Sequence, residues 1–455
     1  MHTTPFQGTS FTLDFSGVAG FFGGDEAVAA MASVHIRGGT KWLGWYNSPG
    51  SSAVARKYGQ LSNSRLWRAL FPGTPGTPVD PTSLFDFYGK SGPEYIAAYS
   101  GTNILDTGHV GNLFVQMCQS VKPTRIEGKR QTLPGRVTVV VLNSATSFEM
   151  DATLHGRGSV LLAGVPILSS VAACIACAVF KDWFCFAMLL LGILSSGLAC
   201  LAIGSGTFKF VRPRPAPGSP RGDGILVVDR EIIVVLGKEE VVNPITKGRF
   251  KLRFSGDSEK DGTSKRHFVG LAALLLTAQF LLQLLLIPQG TLFGQMLFLL
   301  TLAISWAYNS YLSSFERKGI PGRILMTKVL GGPVVKRFTL GTRTAVAVFV
   351  VLALQPPNPG EILDRLLPDT ETWMIWKRVV RDKLQRREEL SFGETDYDGV
   401  ADEERGLLKR LYDDASDAYL GYINFLYTAG VKQGGDQDSS EWGGEDVSKT
   451  TPHIV

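Results

Sequence analysis

The sequence predicts a mainly α-helical, polytopic membrane protein built from two transmembrane helical hairpins. Two pairs of apolar runs indicate this fold: residues 160–180 with 184–204, and residues 268–287 with 291–308. Each run has roughly the 20 residues that cross a bilayer core of about 30 Å. None of the runs contains Asp, Glu, Lys, Arg or His. Because charged side chains are costly in lipid, these four runs are expected to be four spans.

The distribution of basic residues predicts the orientation of these spans. The connection between the hairpins, residues 205–267, carries thirteen Lys and Arg, whereas the two turns within the hairpins together carry one. Lys and Arg in short loops stay on the cytosolic side. Both termini and the middle connection are therefore expected in the cytosol, with two short turns outside. The expected location is an integral, multi-pass position in a membrane, and the sequence does not specify the organelle.

A short apolar run after the spans leaves one alternative open. Residues 344–354 are apolar but only eleven in number, and Pro356 and Pro357 follow them. This length suits a buried or interfacial helix better than a span. A fifth span here would place the C-terminal tail outside the cytosol.

The chain divides into alternating membrane and soluble parts. The charge supports this division, because residues 1–360 carry 34 Lys and Arg against 20 Asp and Glu, while residues 361–455 carry 12 against 21. A basic body with an acidic tail is common beside an anionic leaflet. The predicted parts are a loosely ordered cytosolic N-terminal region (1–159), hairpin 1 (160–204), a cytosolic loop with a small β meander (205–267), hairpin 2 (268–308), a basic juxtamembrane segment with cytosolic helices (309–430) and a disordered acidic tail (431–455).

Two soluble elements present basic faces. Residues 225–229, 231–236 and 247–254 are expected to form the β meander, and its last strand alternates basic with apolar residues. After Asp369 or Thr370, a helix to about Leu390 combines tryptophans with basic residues, which suits a membrane surface or a partner helix equally. A further helix is expected over Asp402–Ala429. The basic residues expected to face anionic lipid are Arg249, Lys251, Arg253, Lys377, Arg378 and Arg381.

Part of the C-terminal half resembles a known group of proteins. The segments Arg323-Ile324-Leu325-Met326, Gly341-Thr342-Arg343-Thr344 and Leu366-Leu367-Pro368-Asp369, the last before Trp373 and Trp376, resemble a group of uncharacterised fungal multi-pass membrane proteins. The resemblance covers about residues 320–380 and no catalytic motif. It implies a membrane location and transfers no activity to any residue.

Small and amide residues inside the runs predict how the spans pack. Small residues recur every four positions in both runs of hairpin 1, and this spacing allows close approach of helix backbones. In hairpin 2, two glutamines lie at similar depth on either side of the turn, where a hydrogen bond is expected to link the helices. The expected packing residues are Ser169, Ala173, Cys177, Gly192, Ser196, Cys200, Gly204, Gln283 and Gln295.

The sequence contains no catalytic, metal-binding or cofactor-binding motif as clear as the apolar runs. The five cysteines form no disulfide framework, and the six histidines have no metal-ligand spacing. No cofactor, metal, catalytic residue or nucleic-acid partner is therefore predicted. The favoured function is a non-enzymatic scaffold or organiser that contacts the bilayer, anionic lipid head groups, protein partners or further copies of itself. The alternatives are a small-solute transporter or channel lined near Gln279, Gln283 and Gln295, and a membrane-bound enzyme with an unrecognised cytosolic site.

Overall fold

The computed structural model describes residues 24–62, 65–72, 84–85, 90–143, 148–152, 158–254, 263–314, 319–397 and 402–429. The predicted disordered tail, residues 431–455, lies outside these ranges. The chain forms two compact units. The first unit comprises Met1–Thr124 and Arg136–Phe338, and the second comprises Arg125–Gly135 and Thr339–Val455.

Helices and strands alternate along the described residues. The helices are α1 (Gly24–Ser33), α2 (Ser51–Leu61), α3 (Arg65–Leu70), α4 (Gly108–Gln119), α5 (Gly158–Val179), α6 (Trp183–Ile203), α7 (Glu239–Thr246), α8 (Thr263–Leu286), α9 (Leu292–Ser314), α10 (Gly319–Arg323), α11 (Arg343–Leu354), α12 (Pro359–Leu366), α13 (Glu371–Gln385) and α14 (Asp402–Ala429). The strands are β1 (Glu94–Ala97), β2 (Asn103–Ile104), β3 (Thr124–Arg125), β4 (Gly135–Val141), β5 (Glu149–Asp151), β6 (Gly206–Val211), β7 (Gly224–Val228), β8 (Glu231–Leu236), β9 (Arg249–Phe254) and β10 (Val334–Leu340).

Four of these helices, α5, α6, α8 and α9, are long and apolar enough to cross a membrane. They confirm the four apolar runs predicted as helices from the sequence. Short connections join α5 to α6 and α8 to α9, and we call this end of the helices, near Asp182 and Thr291, the turn end. We call the opposite end, near Ile203 and Phe268, the sheet end, because β6 begins there within three residues of α6.

The described part of the N-terminal region includes short helices. Within residues 24–62 it forms α1 and α2, and these pack against the membrane helices, α1 on α9 and α2 on α8. The small residues of α1 explain this packing, since Ala27, Ala30 and Ala32 are all buried. Hydrophobic periodicity in such a short, alanine-rich helix is weak, so no pattern within the segment predicts this contact.

Two sheets lie outside the four long apolar helices. One has seven strands in the order β2-β1-β7-β8-β4-β10-β3, with β7 and β8 forming a hairpin and β4 parallel to β8. The other has three strands in the order β5-β6-β9. The predicted meander is therefore divided, because its last strand pairs with β6 and not with β8. Phe208 of β6 stacks on Phe250 of β9 with 5.0 Å between ring centroids, which favours this pairing.

One apolar core runs from the membrane helices into the sheets. It includes Ile203 of α6 and Leu276 of α8, Tyr58 of α2, and Phe208 and Ile233 of the two sheets, all of them buried. Because apolar contacts are continuous from the sheet end of the spans to the strands, the helices and sheets of the first unit fold around a shared core.

The second unit is helical and centred on α11. Almost every residue of α11 is buried, and its Phe349 packs edge-on against Tyr422 of α14 at 5.9 Å between centroids. The segment predicted as either a buried helix or a fifth span is thus a twelve-residue buried helix in this structure. The residues 125–135 are tied to α14, where Lys129 pairs with Asp413 at 2.8 Å.

Candidate functional site

A non-helical segment enters the space between the four membrane helices. The segment runs along α6 from the sheet end towards the middle of the helix. Its successive contacts are Lys41 with Gly204, Gly44 with Cys200, Trp45 with Gly197, and Asn47 with Gly192. Gly204 and Gly192 are twelve residues apart, so the segment descends about 18 Å along the helix. The chain then turns at Gly50, which adopts a positive φ of 73°, and leaves as α2. We call residues 40–50 the re-entrant segment.

Asn47 at the tip of this segment contacts all four membrane helices. Its backbone N–H donates to Ser170 Oγ of α5 at 3.1 Å, and its side-chain Nδ2 donates to Thr301 Oγ1 of α9 at 3.2 Å. Its Oδ1 accepts from Gln283 Nε2 of α8 at 3.1 Å. Gly192 of α6 supplies space, since a Cβ there would lie 2.2 Å from Asn47 Oδ1. Lipid tails offer no hydrogen-bond partners, so irregular backbone between membrane helices needs partners from the protein. These hydrogen bonds supply those partners to the polar tip.

The glutamines of the second hairpin serve two different places. Gln283 donates to Met188 O of α6 at 3.1 Å as well as to Asn47, and accepts from Gln279 at 3.3 Å. Gln295 instead donates to Pro288 O and Gly290 O at the turn, at 3.3 and 3.1 Å. The predicted bond between Gln283 and Gln295 is therefore replaced by these contacts. The reason is that α8 packs chiefly on α6 and α2 while α9 packs chiefly on α5 and α1, so the re-entrant segment takes the place between them.

A polar stripe on α9, which the sequence analysis missed, faces the re-entrant segment. Thr301, Ser305 and Asn309 recur every four residues and are all buried. Asn309 Oδ1 accepts from Tyr46 Oη at 2.9 Å, and its Nδ2 donates to Ser48 Oγ at 3.2 Å. The four-residue spacing of these polar side chains inside an apolar run was the sequence signal that could have revealed this face.

Several polar atoms around the tip remain without partners. Within the part of the chain that the structure describes, Gln279 Oε1 and Ser305 Oγ are buried and make no hydrogen bond. A separate cavity of about 40 Å³ is lined by Tyr46, Ser48 and Asn309 among others. This volume accommodates about three water molecules. The space between the membrane helices thus contains uncharged polar side chains and a cavity of small volume.

The small-residue stripes act in packing, but not all with the predicted partner. On α5, Ala173 and Cys177 are buried in a cluster with Cys185 and Met188 of α6, and Ser169 Oγ donates to Pro166 O within its own helix. On α6, the stripe faces the re-entrant segment and not α5. Its members are Gly192, Ser196, Cys200 and Gly204, and the Cβ position of Gly204 lies 2.6 Å from Lys41 Cβ.

Asp182 joins the two hairpins at the turn end. Its Oδ1 accepts from Cys185 N at 3.1 Å and caps α6. Its Oδ2 accepts from both the backbone N–H and the hydroxyl of Thr291, at 2.8 and 2.6 Å. Since Asp182 is buried, these bonds fix one turn against the other.

The basic residues predicted to face lipid differ in exposure. On β9, Arg249 and Lys251 are exposed, and Arg253 pairs with Glu149 at 3.2 Å. This alternation confirms the predicted strand with one cationic face. Four basic residues, Lys209, Arg249, Lys251 and Arg253, share this face with Glu149 and Asp151, because the strand registers place them side by side. The face carries an excess of two positive charges.

Lys377 on α13 does not fit the predicted lipid contact. Its side chain is buried, donates to Leu367 O, and pairs with Asp364 and Asp369 at 3.0 and 2.5 Å. The apolar stripe of the same helix is used within the second unit, where Trp376 is fully buried. Of the other two predicted residues on α13, Arg378 is exposed and Arg381 is half-buried beside Asp382.

Polar side chains at the soluble end make structural contacts. Asp106 Oδ1 accepts from the backbone N–H groups of Gly92 and Gly108, both at 2.7 Å, and His109 Nε2 accepts from Phe250 N at 3.1 Å. Arg337 and Glu231 form a buried two-point ion pair, with distances of 2.9 and 2.7 Å. These contacts tie loops and strands together.

No protein-family model, curated protein or solved structure matches this chain. The resemblance of residues 320–380 to fungal multi-pass membrane proteins therefore stays a prediction.

Proposed function

We propose that the chain is a non-enzymatic integral membrane scaffold that holds its soluble elements against the cytosolic leaflet. In this arrangement α5, α6, α8 and α9 span the bilayer, the turn end lies outside the cytosol, and both sheets, both termini and the second unit lie inside it. The thirteen Lys and Arg between the hairpins support this orientation.

The main support for the proposal is that polar side chains of the membrane helices hydrogen-bond to the re-entrant segment. Ser170, Thr301 and Gln283 each hydrogen-bond to Asn47, and through these bonds the chain holds its own N-terminal segment between the membrane helices. Together with the apolar core shared by spans and sheets, these bonds make the first unit a continuous support. A scaffold needs this rigidity, because its partners must be held at fixed positions.

The proposed partners are anionic lipid head groups at the cationic face of the three-stranded sheet. Arg249 and Lys251 are exposed on this face. Each basic residue near an anionic leaflet contributes about 1 kcal/mol of attraction. The two unneutralised charges of the face therefore favour anionic over zwitterionic lipid by about 2 kcal/mol.

Reconstitution of the full chain in nanodiscs of mixed phosphatidylcholine and phosphatidylserine tests this proposal. We expect phosphatidylserine to be enriched among the lipids that remain bound on extraction, and we expect Arg249→Gln with Lys251→Gln to reduce the enrichment. The exposed pair Arg386→Gln with Arg387→Gln, directly after α13, serves as a charge-matched control. Equal retention of both lipids by the natural chain would overturn the lipid contact.

A second function, passage of a small uncharged solute, is favoured by the unpartnered atoms at the tip. Gln279 Oε1 and Ser305 Oγ lie buried among the membrane helices without hydrogen-bond partners in the described chain, and a separate small cavity is lined by Ser48 and Asn309. Buried polar atoms of this kind mark sites for water or a polar ligand. Stopped-flow measurement of glycerol and urea flux into proteoliposomes separates the two functions. Flux above that of empty liposomes, abolished by Asn309→Leu, would favour a pathway over the scaffold.

A further inference from the structure

An apolar groove lies between α6 and α8 on the outer side of the membrane helices at their sheet end. It has a volume of about 510 Å³. Its walls come from the last two turns of α6 and the first two turns of α8 within the membrane. The lining residues include Leu198, Leu201, Ser205, Phe268, Leu271 and Leu275.

The groove continues directly into the cationic face of the three-stranded sheet. Ser205 lines the groove, and Thr207, two residues later, is paired across the strands with Arg253. The next pair on this face is Lys209 with Lys251. At about 3.3 Å per residue, the first basic pair position lies about 7 Å from the groove and the second about 13 Å.

The groove and the cationic face point away from the same core. Ile203, Val269 and Phe208 are buried together in the core of the first unit, and they come from α6, α8 and β6 respectively. Because successive residues of a strand point to opposite faces, Thr207 and Lys209 lie on the side of β6 that is turned from Phe208. Phe268 and Leu271 of the groove are likewise more than half exposed, at 57% and 53%.

The charges of this face are only partly neutralised by the protein. Glu149 pairs with both Lys209 and Arg253, at 3.0 and 3.2 Å. Lys251 and Arg249 have no ion-pair partner among the described residues. Lys251 stands directly opposite Lys209, which pairs with Glu149 at 3.0 Å and with Asp151 at 3.8 Å, so the charge of Lys251 stays available for an external anion.

We propose that this groove and face bind one anionic phospholipid, with an acyl chain in the groove and its head group on Lys251, Lys209 and Arg253. The apolar lining of the groove fits the acyl chain. The excess positive charge, about 7 to 13 Å from the groove along the strand, fits the phosphate and a second anionic group of the lipid. This site rests on the proposed function, because it specifies where the scaffold selects anionic lipid. It adds that the selection occurs at one bound molecule and not across the whole surface.

Photo-crosslinking of the full chain in liposomes tests the site. The probes are phosphatidylserine and phosphatidylcholine, each with a diazirine on the acyl chain, and labelled peptides are identified by mass spectrometry. We expect phosphatidylserine to label α6 and α8 in the groove in preference to phosphatidylcholine. Lys251→Gln, which removes about 1 kcal/mol of attraction at the head group, is expected to lower this preference by about 5-fold.

Groove filling separates the site from the general lipid contact. Ala202→Trp, which occupies the groove, is expected to abolish labelling there, whereas Leu168→Trp on the exposed side of α5 leaves it unchanged. Equal labelling of the groove by both lipids, with phosphatidylserine still enriched around the protein, would overturn the site and leave the scaffold proposal standing. Loss of all enrichment in the natural chain would overturn both.

Discussion

Asn47 at the tip of the re-entrant segment provides the sharpest test of the structure. Its side chain makes two hydrogen bonds inside the membrane helices, to Gln283 and to Thr301. Side-chain hydrogen bonds between membrane helices contribute about 0.6–2 kcal/mol each. Asn47→Ala is therefore expected to lower the free energy of unfolding by about 1–4 kcal/mol.

A double-mutant cycle isolates the bond between Asn47 and Gln283. Asn47→Ala, Gln283→Leu and the double variant are compared with the natural chain by steric trapping in lipid micelles. The expected coupling energy is about 0.6–2 kcal/mol, since each single variant removes the same bond. Asn103→Ala, on the exposed strand β2, is the control and should change stability by less than about 0.5 kcal/mol. Additivity of the two variants within about 0.3–0.5 kcal/mol would refute the contact.

Three further predictions concern packing and protonation. Gly192→Ala is expected to destabilise the protein by about 1–3 kcal/mol, because the new methyl group would overlap Asn47, whereas Gly164→Ala, which meets open space, should leave the melting temperature unchanged or raised. Burial lowers the pKa of His35 to about 4. The free energy of unfolding should therefore be highest above pH 6.5 and should decrease as the pH drops towards 4, by about 2 kcal/mol at about pH 5. His35→Gln should remove this pH dependence in denaturant titrations. Phe349→Ala should destabilise the second unit by about 3–5 kcal/mol in thermal scans, and a loss below about 1 kcal/mol would contradict its central position.

The protonation of His35 is set by its two contacts. Its Nδ1 lies 2.9 Å from Gly206 O, and a carbonyl oxygen only accepts, so Nδ1 carries the proton. Its Nε2 then accepts from Tyr58 Oη at 3.2 Å. A charged imidazole would be desolvated in this fully buried place, which is why the neutral form is favoured.

The apolar helices were predictable because length and absence of charge are local properties. The spans α5, α6, α8 and α9 match the four predicted runs to within a few residues. The helix Asp402–Ala429 was predicted with the same bounds, since its buried Leu408, Leu411 and Tyr412 recur at helical spacing. In each case the pattern within a single segment is enough to determine the structure.

The contacts between distant segments were not predictable from such patterns. The re-entrant segment has no apolar run, and only its glycines and aromatic residues distinguish it from an exposed loop. Its place is determined by partners more than a hundred residues away, such as Ser170 and Gln283. The burial of Lys377 was missed because its ion-pair partners lie outside its own helix, Asp364 in α12 and Asp369 in the connection after α12.

Insertion of the re-entrant segment between α8 and α9 is the central claim, and cysteine crosslinking tests it most directly. Ser48→Cys with Asn309→Cys places two thiols where Ser48 Oγ and Asn309 Nδ2 are 3.2 Å apart. After oxidation and cleavage at a protease site introduced following Thr77, we expect the two fragments to stay joined until they are reduced. Ser48→Cys with Leu300→Cys, on the exposed face of α9, should not crosslink. Separation of the Ser48–Asn309 fragments without reductant, in a protein that still folds, would contradict the insertion.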